Sequence, residues 1–292
     1  MTFANAAPQS GFAGGTGPDA IVRPVFTGTG GGLFVQVLIG ALLTLLTLGI
    51  YTPWFVAGLI RWFYENTTLQ TPRGNVRLSF SGTGGQFFLT LLMAYVLLPL
   101  TLGLVTPWIV ARLLRIMLDH TNGTAEDGTP YRLKYLGTGG GLFGPIVGGM
   151  LLTMITFGIY GAWFLVGLTR RICADVRIAE NDEEAATFQF TGTGGSFFGV
   201  IFVGYLLTMI TFGIYSFWMQ VNVWRYQSQH TQINVTGGGT WRMDFDGKGG
   251  EYFVTFLVGY LLTAITLGIY LPWFMCKLAK FQIDHHSAAR IA

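Results

Sequence analysis

The sequence predicts an α-helical polytopic membrane protein built from five tandem repeats, each a β-strand or hairpin followed by a transmembrane or re-entrant helical hairpin, in a pseudo-fivefold arrangement. Three observations predict it. The phrase Thr-Leu-Gly-Ile-Tyr-Thr-Pro-Trp ends at Trp54 and returns, with small edits, ending at Trp108, Trp163, Trp218 and Trp273. A second phrase, aromatic-x-Gly-x-Gly-Gly, opens at Phe26, Phe80, Tyr135, Phe190 and Phe245, always 28 residues before its tryptophan. A fixed offset inside a fixed period marks one structural unit copied in tandem. The composition supplies the third observation: 51% apolar and 11% charged residues with a mean hydropathy of +0.51, against roughly 25% charged in a soluble domain. Residues 24–60, 78–111, 135–169, 185–224 and 252–276 contain no Asp, Glu, Lys or Arg, and each window exceeds the roughly 20 residues that cross a bilayer as a helix.

Each element of the unit follows from local pattern. Val76, Leu78 and Phe80 alternate with Arg77 and Ser79, the period-two mark of a strand with one covered face. Tyr131, Leu133 and Tyr135, then Phe188 and Phe190, then Trp241, Met243 and Phe245 repeat it. Glycine-rich turns near Gly74 and Gly237 read as short β-hairpins lying on the membrane surface. A Gly-Thr-Gly-Gly turn leads into an apolar helix, for example Leu33 to Leu48, which Gly49 ends. Thr52-Pro53 and Thr106-Pro107 then start a second helix, Trp54 to Asn66 in the first copy. The copies divide as residues 21–74, 75–129, 130–184, 185–239 and 240–292, after a Gly, Ala, Ser and Pro-rich tail at 1–20 that reads as disordered.

The 17 Lys and Arg residues orient the unit. A single crossing per repeat would split them evenly between the two sides, whereas a hairpin puts all of them on one side. The positive-inside rule therefore predicts hairpins, a multi-pass topology and cytoplasmic termini.

These residues resemble the YjgN-like bacterial inner-membrane proteins, a family without an assigned function. The resemblance rests on the Phe-x-Gly-x-Gly-x-x-Phe-Phe opening, the Leu-Leu-Thr-x-x-Thr-Leu-Gly-Ile-Tyr-x-x-Trp centre and the Arg-Trp-Phe-Tyr-Glu-Asn-Thr close at 61–67. It spans residues 21–287, implies a bacterial inner membrane and carries no catalytic residues. The second repeat departs from it, with Val105 in place of tyrosine and Leu98-Pro99 in place of Leu-Thr.

Several residue sets invite a functional reading beside a structural one. Arg61, Arg115, Arg170, Arg225 and Lys280 lie seven residues beyond each tryptophan. They read as snorkelling interface anchors, or as a ring that selects anions or grips acidic headgroups. Asn66, His120, Asp175, His230 and His285, with His286, read as the polar end of the second helix, or as metal or proton ligands. Thr44/Thr47, Thr153/Thr156, Thr208/Thr211 and Thr263/Thr266 read as helix glue, or as the lining of a polar path. The five tryptophans with Tyr51, Tyr160, Tyr215 and Tyr270 fit an interfacial aromatic belt at the far side of the membrane. Cys173 and Cys276 read as two buried thiols.

The windows hold no nucleophile–base pair and no carboxylate dyad, so the expectation is a non-enzymatic protein without cofactor or metal. A net charge of +3 gives no reason to expect nucleic acid. The expected partners are membrane lipids, anionic ones included. The expected role is a pore or carrier for a small solute or lipid. The alternative is a scaffold that forms homo-oligomers or binds a protein through an unpaired β edge at the first repeat.

Overall fold

A computed structural model describes residues 21–291, and the tail read at 1–20 lies outside the described residues. Its centre is a closed barrel of ten antiparallel strands. They are β1 (Ile21–Phe26), β2 (Thr67–Thr71), β3 (Gly74–Phe80), β4 (Thr121–Ala125), β5 (Pro130–Tyr135), β6 (Val176–Glu180), β7 (Glu183–Phe190), β8 (Thr231–Val235), β9 (Gly239–Phe245) and β10 (His286–Arg290). Five helical hairpins leave one rim of this barrel and return to it. They comprise α1 (Gly30–Leu46) with α2 (Thr52–Glu65), α3 (Gly84–Leu100) with α4 (Thr106–Asp119), α8 (Gly194–Ile210) with α9 (Ser216–Gln229), and α10 (Gly249–Ile265) with α11 (Leu271–Asp284). In the third hairpin the outgoing helix is α5 (Gly139–Phe143), a π-turn over Gly144–Gly148 that contains Pro145, and α6 (Gly149–Ile155). It returns as α7 (Gly161–Ala174).

This corrects the expected fold class: the chain is not an α-helical polytopic protein with β-hairpins as appendages. Each strand pairs twice. β4 pairs with β5 through the Gly128 turn and with β3 across a whole helical hairpin, Phe80 standing opposite Thr121. The period-two pattern reported one covered face correctly, but that face is the inside of a barrel. Along β3, Val76 and Phe80 are buried while Arg77 and Ser79 are exposed.

The transmembrane helices and multi-pass topology fall with it. The unbroken outgoing helices have 17 residues and the return helices 14, about 25 and 21 Å at 1.5 Å per residue, against a hydrocarbon core of about 30 Å. No described helix is long and apolar enough to cross a membrane. The charge-free windows are long because they join two short helices through a turn.

The unpaired edge expected at the first repeat is also corrected. Residues after the last helix form β10, which pairs with β9 on one side and with β1 on the other, Val22 opposite Ala288. Both sides of β1 are thus paired within the chain.

The repeated phrases have specific geometric causes. The threonine of Gly-Thr-Gly-Gly caps the outgoing helix: Thr29, Thr138 and Thr193 accept the N–H of the third residue on, and Thr83 makes a capping box with Gln86. The first glycine lies under the aromatic ring two residues earlier, so a Cβ at Gly82 would overlap Phe80. The next glycine takes the neighbouring unit's tryptophan. A Cβ at Gly84 would stand 2.5 Å from the Cα of Trp54, which is backbone and cannot swing away. Gly30 meets Trp273 in the same manner, so the fifth unit packs on the first and the ring of repeats closes.

Candidate functional site

The strongest candidate site is the barrel lumen. Alternate strand residues turn inward and merge into one apolar cluster that includes Val22, Val76, Tyr131, Ile178, Ile233 and Trp241. Beside them remains a cavity of about 270 Å³, walled by side chains such as Leu69, Leu78, Leu133, Phe188, Met243 and Ala288. Its polar members include Thr121, Asn122, Ser287, His286 and the outward-exposed Arg132. Burial, aided by the charge of Glu180, pushes the Tyr131 phenol up to about 12. Burial also holds His286, at the helix-side rim, below its ordinary value of 6.5. Trp241 lines this cavity and its indole N–H is buried with no hydrogen-bond partner. A buried donor left unpaired costs roughly 1–3 kcal/mol, so the lumen offers one unspent donor to an occupant.

Outside the lumen, the five cations of the sequence pattern stitch neighbouring units together. Arg61 donates to Phe80 O at 3.2 Å and Gly82 O at 3.2 Å. Arg115 donates to Gly137 O at 3.0 Å, Arg170 to Gly192 O at 2.6 Å, and Arg225 to Phe245 O and Gly247 O at 3.3 and 2.7 Å. Lys280 closes the circle on Phe26 O at 3.4 Å and forms an ion pair with Asp284 at 3.1 Å. Each cation therefore clasps the backbone of the next unit's strand-to-helix turn.

The aromatic set forms a ladder between units. Tyr51 stacks on Trp54, Tyr160 on Trp163, Tyr215 on Trp218 and Tyr270 on Trp273. Each tryptophan then meets a phenylalanine of the following unit: Trp54 with Phe88, Trp108 with Phe143, Trp163 with Phe198, Trp218 with Phe253 and Trp273 with Phe34.

The threonine hydroxyls are engaged within their own hairpins. Thr47, Thr156, Thr211 and Thr266 each donate to the carbonyl four residues back and accept the N–H four residues on, which holds the turn. Thr153, Thr208 and Thr263 donate to glycine carbonyls one helical turn earlier, while Thr44 Oγ1 has no partner.

The polar residues twelve beyond each tryptophan are spread around the barrel rim. His120, His230 and His285 each donate Nδ1–H to the carbonyl four residues back, and His285 Nε2 faces Glu251 Oε2 at 3.7 Å. Gln86 Nε2–H donates a hydrogen bond to His120 Nε2 at 3.0 Å. Asn66 bonds Trp62 O, and Asp175 pairs with Arg171 at 3.3 Å. Among the described residues, no group of three His, Cys, Asp or Glu side chains could hold a metal ion. Cys173 and Cys276 are free thiols.

Sequence reasoning missed two sets. The lumen-lining residues were visible as alternating positions but were read as a flat face. The other set sits at the hairpin tips, where Leu48, Leu102, Phe157, Phe212 and Leu267 adopt φ of 49–51° and stand 92–98% exposed. Their position directly before each tip glycine was the available signal.

Comparison with known proteins agrees with the sequence resemblance. The family described as bacterial protein of unknown function (DUF898) matches at residues 22–73, 185–237 and 240–287. Inner membrane protein YjgN of Salmonella typhimurium is 40% identical over 81 residues, 28% of this chain and 20% of that protein. Inner membrane protein YjgN of Escherichia coli strain K12 is 32% identical over 104 residues, 35% of this chain and 25% of that protein. The chain thus spans a quarter or less of the length of these relatives. No solved structure matches it. The relatives' names support a membrane protein of the inner membrane, with no function assigned. With three of its five units, about half of its length, matching the family, the chain belongs to the YjgN-like bacterial proteins of unknown function.

Proposed function

We propose that the protein is a membrane-attached carrier that holds an apolar molecule of the lipid acyl-chain class inside its barrel. The observation that carries this reading is the lumen: ringed by a closed barrel, walled mostly by apolar side chains with Arg132 the one Arg, Lys, Asp or Glu in its lining, and retaining a cavity of about 270 Å³. That is near the lower end of small-ligand pockets, about 300–1,000 Å³. An apolar cavity of this kind stays dry, which favours an apolar guest over passage of water or ions. The unpaired indole N–H of Trp241 suits a carboxylate or ester oxygen at the end of such a chain.

The outer surface supports attachment to the bilayer. The barrel wall carries exposed Arg77, Arg132, Arg242 and Asp244. The hairpins expose Leu38, Leu45, Leu46, Met154, Phe157 and Phe212 on their flanks and tips. Contiguous apolar surface of this extent marks a membrane or protein contact. The hairpins enter the lipid from one side, and the barrel, with both described chain ends in it, stands at the cytoplasmic surface where its basic residues belong.

The test is binding of a fluorescent fatty acid to the full chain in detergent, with the lipids that co-purify identified by mass spectrometry. Wild-type protein is expected to bind saturably, and Ala288→Phe, which fills the lumen, to lose binding while melting as before. Ser79→Phe, on the outer wall, should bind normally. Unchanged binding by a folded Ala288→Phe variant, or neither probe binding nor co-purified lipid in the wild type, overturns the reading. Ion flux through protein-loaded vesicles would overturn it in favour of a pore.

A further inference from the structure

One junction in the ring of hairpins departs from the other four. The cleft between α3 and α4, closed by the start of α5, encloses about 440 Å³. Two guanidinium groups look into it, Arg112 and Arg115, three residues apart and so on one face of α4. Arg112 is positioned by a buried neighbour. Its Nε donates to Thr90 Oγ1 at 2.9 Å, while the fully buried Thr90 donates its own hydroxyl proton to Gln86 O at 2.8 Å. Arg115 spends Nη2 on Gly137 O at 3.0 Å. Most of the N–H donors of both groups remain unspent, since a guanidinium carries five. Among the described residues neither arginine meets a carboxylate.

The equivalent positions do not repeat this arrangement. Where the second unit has Arg112, the others have Gly58, Gly167, Asn222 and Lys277. Asn222 accepts from Arg225 at 3.2 Å and so occupies that guanidinium. Lys277 lies over the Tyr270 ring, and its neighbour Lys280 is paired with Asp284. Two like charges on one helix face repel, and no ion pair among the described residues includes either of them. One side of the cleft wall is apolar, formed by Met93, Leu97, Val105 and Ile109 on helices whose outer surface is exposed, while Thr138 and the start of α5 line the other. Paired guanidinium groups match the oxygens of a phosphate, and an apolar wall beside them matches hydrocarbon.

We propose that this cleft binds the phosphate of an anionic phospholipid, with Arg112 and Arg115 on its oxygens and an acyl chain along Met93, Leu97, Val105 and Ile109. The proposal rests on the membrane attachment inferred above and is independent of the lumen. It makes the second unit the one that selects lipid charge.

The experiment measures binding of the full chain to phosphatidylcholine nanodiscs with and without phosphatidylglycerol, for wild type, Arg112→Gln, Arg112→Lys and the barrel-wall control Arg77→Gln. A charge acting only through the surface potential is worth about fivefold near an anionic leaflet. A direct charged hydrogen bond is worth about tenfold or more. The preference for phosphatidylglycerol is expected to fall at least about tenfold in Arg112→Gln, partly recover in Arg112→Lys and stay within about fivefold in Arg77→Gln. Equal losses in Arg112→Gln and Arg77→Gln, at unchanged melting temperature, overturn the proposal. Displacement of the lipid by millimolar inorganic phosphate assigns the cleft to a free anion and also overturns it. Failure to bind either nanodisc refutes the membrane attachment, and intact lipid preference in Ala288→Phe separates this site from the lumen.

Discussion

The hairpin tips pose a test in which stability and membrane affinity move in opposite directions. Leu48, Leu102, Phe157, Phe212 and Leu267 hold φ near 50°, a region that costs a residue with a Cβ roughly 1–2 kcal/mol. Their side chains are 92–98% exposed, so no internal packing offsets that cost. The backbone bonds of the turn, Leu48 N–H to Leu45 O at 3.1 Å and Gly49 N–H to Thr44 O at 2.7 Å, involve no side chain of the tip residue. Asparagine tolerates this conformation better, so Phe157→Asn and Phe212→Asn should each raise stability in detergent by about 0.5–1 kcal/mol. A leucine or phenylalanine moved from water into hydrocarbon gains about 1.5–3 kcal/mol, more than the strain it carries. The double variant should therefore lose about 3–6 kcal/mol of membrane affinity, a factor of about 10² to 10⁴ in partitioning. Thermal melting in detergent and flotation with phosphatidylcholine vesicles read the two quantities separately. A double variant that floats as well as wild type, or that melts lower, would refute the claim that these side chains sit in lipid.

Two further predictions concern the joins between units. Arg225→Gln leaves the carbonyls of Phe245 and Gly247 without their charged donor and is expected to lower stability by about 1–2 kcal/mol. Arg170→Gln, with one such bond, should lose about half as much; equal and negligible losses in melting experiments would return these cations to simple snorkelling. Gly84→Ala forces a Cβ to 2.5 Å from the Trp54 Cα and should destabilise by about 1–3 kcal/mol or more. Gly85→Ala meets nothing within 4 Å and should be neutral or stabilise the helix by up to about 1 kcal/mol. Indistinguishable denaturation midpoints for the pair would contradict the glycine–tryptophan join.

Much of the unit was legible because it is local. The strand from Val76 to Phe80, the capped helix after Gly-Thr-Gly-Gly and the stop at Gly49 each depend on neighbours a few residues away, and the structure has an element at each. What period and composition could not convey was the pairing partner. Phe80 and Thr121 are 41 residues apart in sequence and adjacent in the barrel, and nothing in either strand names the other. Charge-free windows of 25 to 40 residues looked like spanning helices because a tight turn of apolar residues carries no charge either. The clasping cations were found by their spacing, but spacing alone does not tell a carbonyl partner from a headgroup. Arg112 was hidden because it breaks the repeat, and a search for recurrence passes over what occurs once.

Ring closure gives those joins a shared consequence. Each hairpin is held at its base by contacts to the next: a cation on a turn carbonyl, a tryptophan on a glycine, and a strand on a strand. The seam between the fifth unit and the first uses the same three contacts, through Lys280 with Phe26, Trp273 with Gly30, and β10 with β1. It adds a bond that the sequence pattern did not announce, Phe26 N–H to Asp284 Oδ1 at 2.8 Å, with Asp284 also paired to Lys280. In the second unit Asp119 does the same for Tyr135 N–H at 2.7 Å. At Phe26 the N–H and the carbonyl oxygen thus contact the two halves of a Lys–Asp pair on α11, whereas Arg225 by itself reaches two carbonyls on either side of Asp246. Alone among the neighbouring strand pairs described, β1 and β10 are not consecutive strands of the chain, so no turn or single hairpin joins them. The Asp284 bond ties α11 to β1 beside that pairing, as the Asp119 bond ties α4 to β5, and an ionised acceptor makes each stronger than a neutral one.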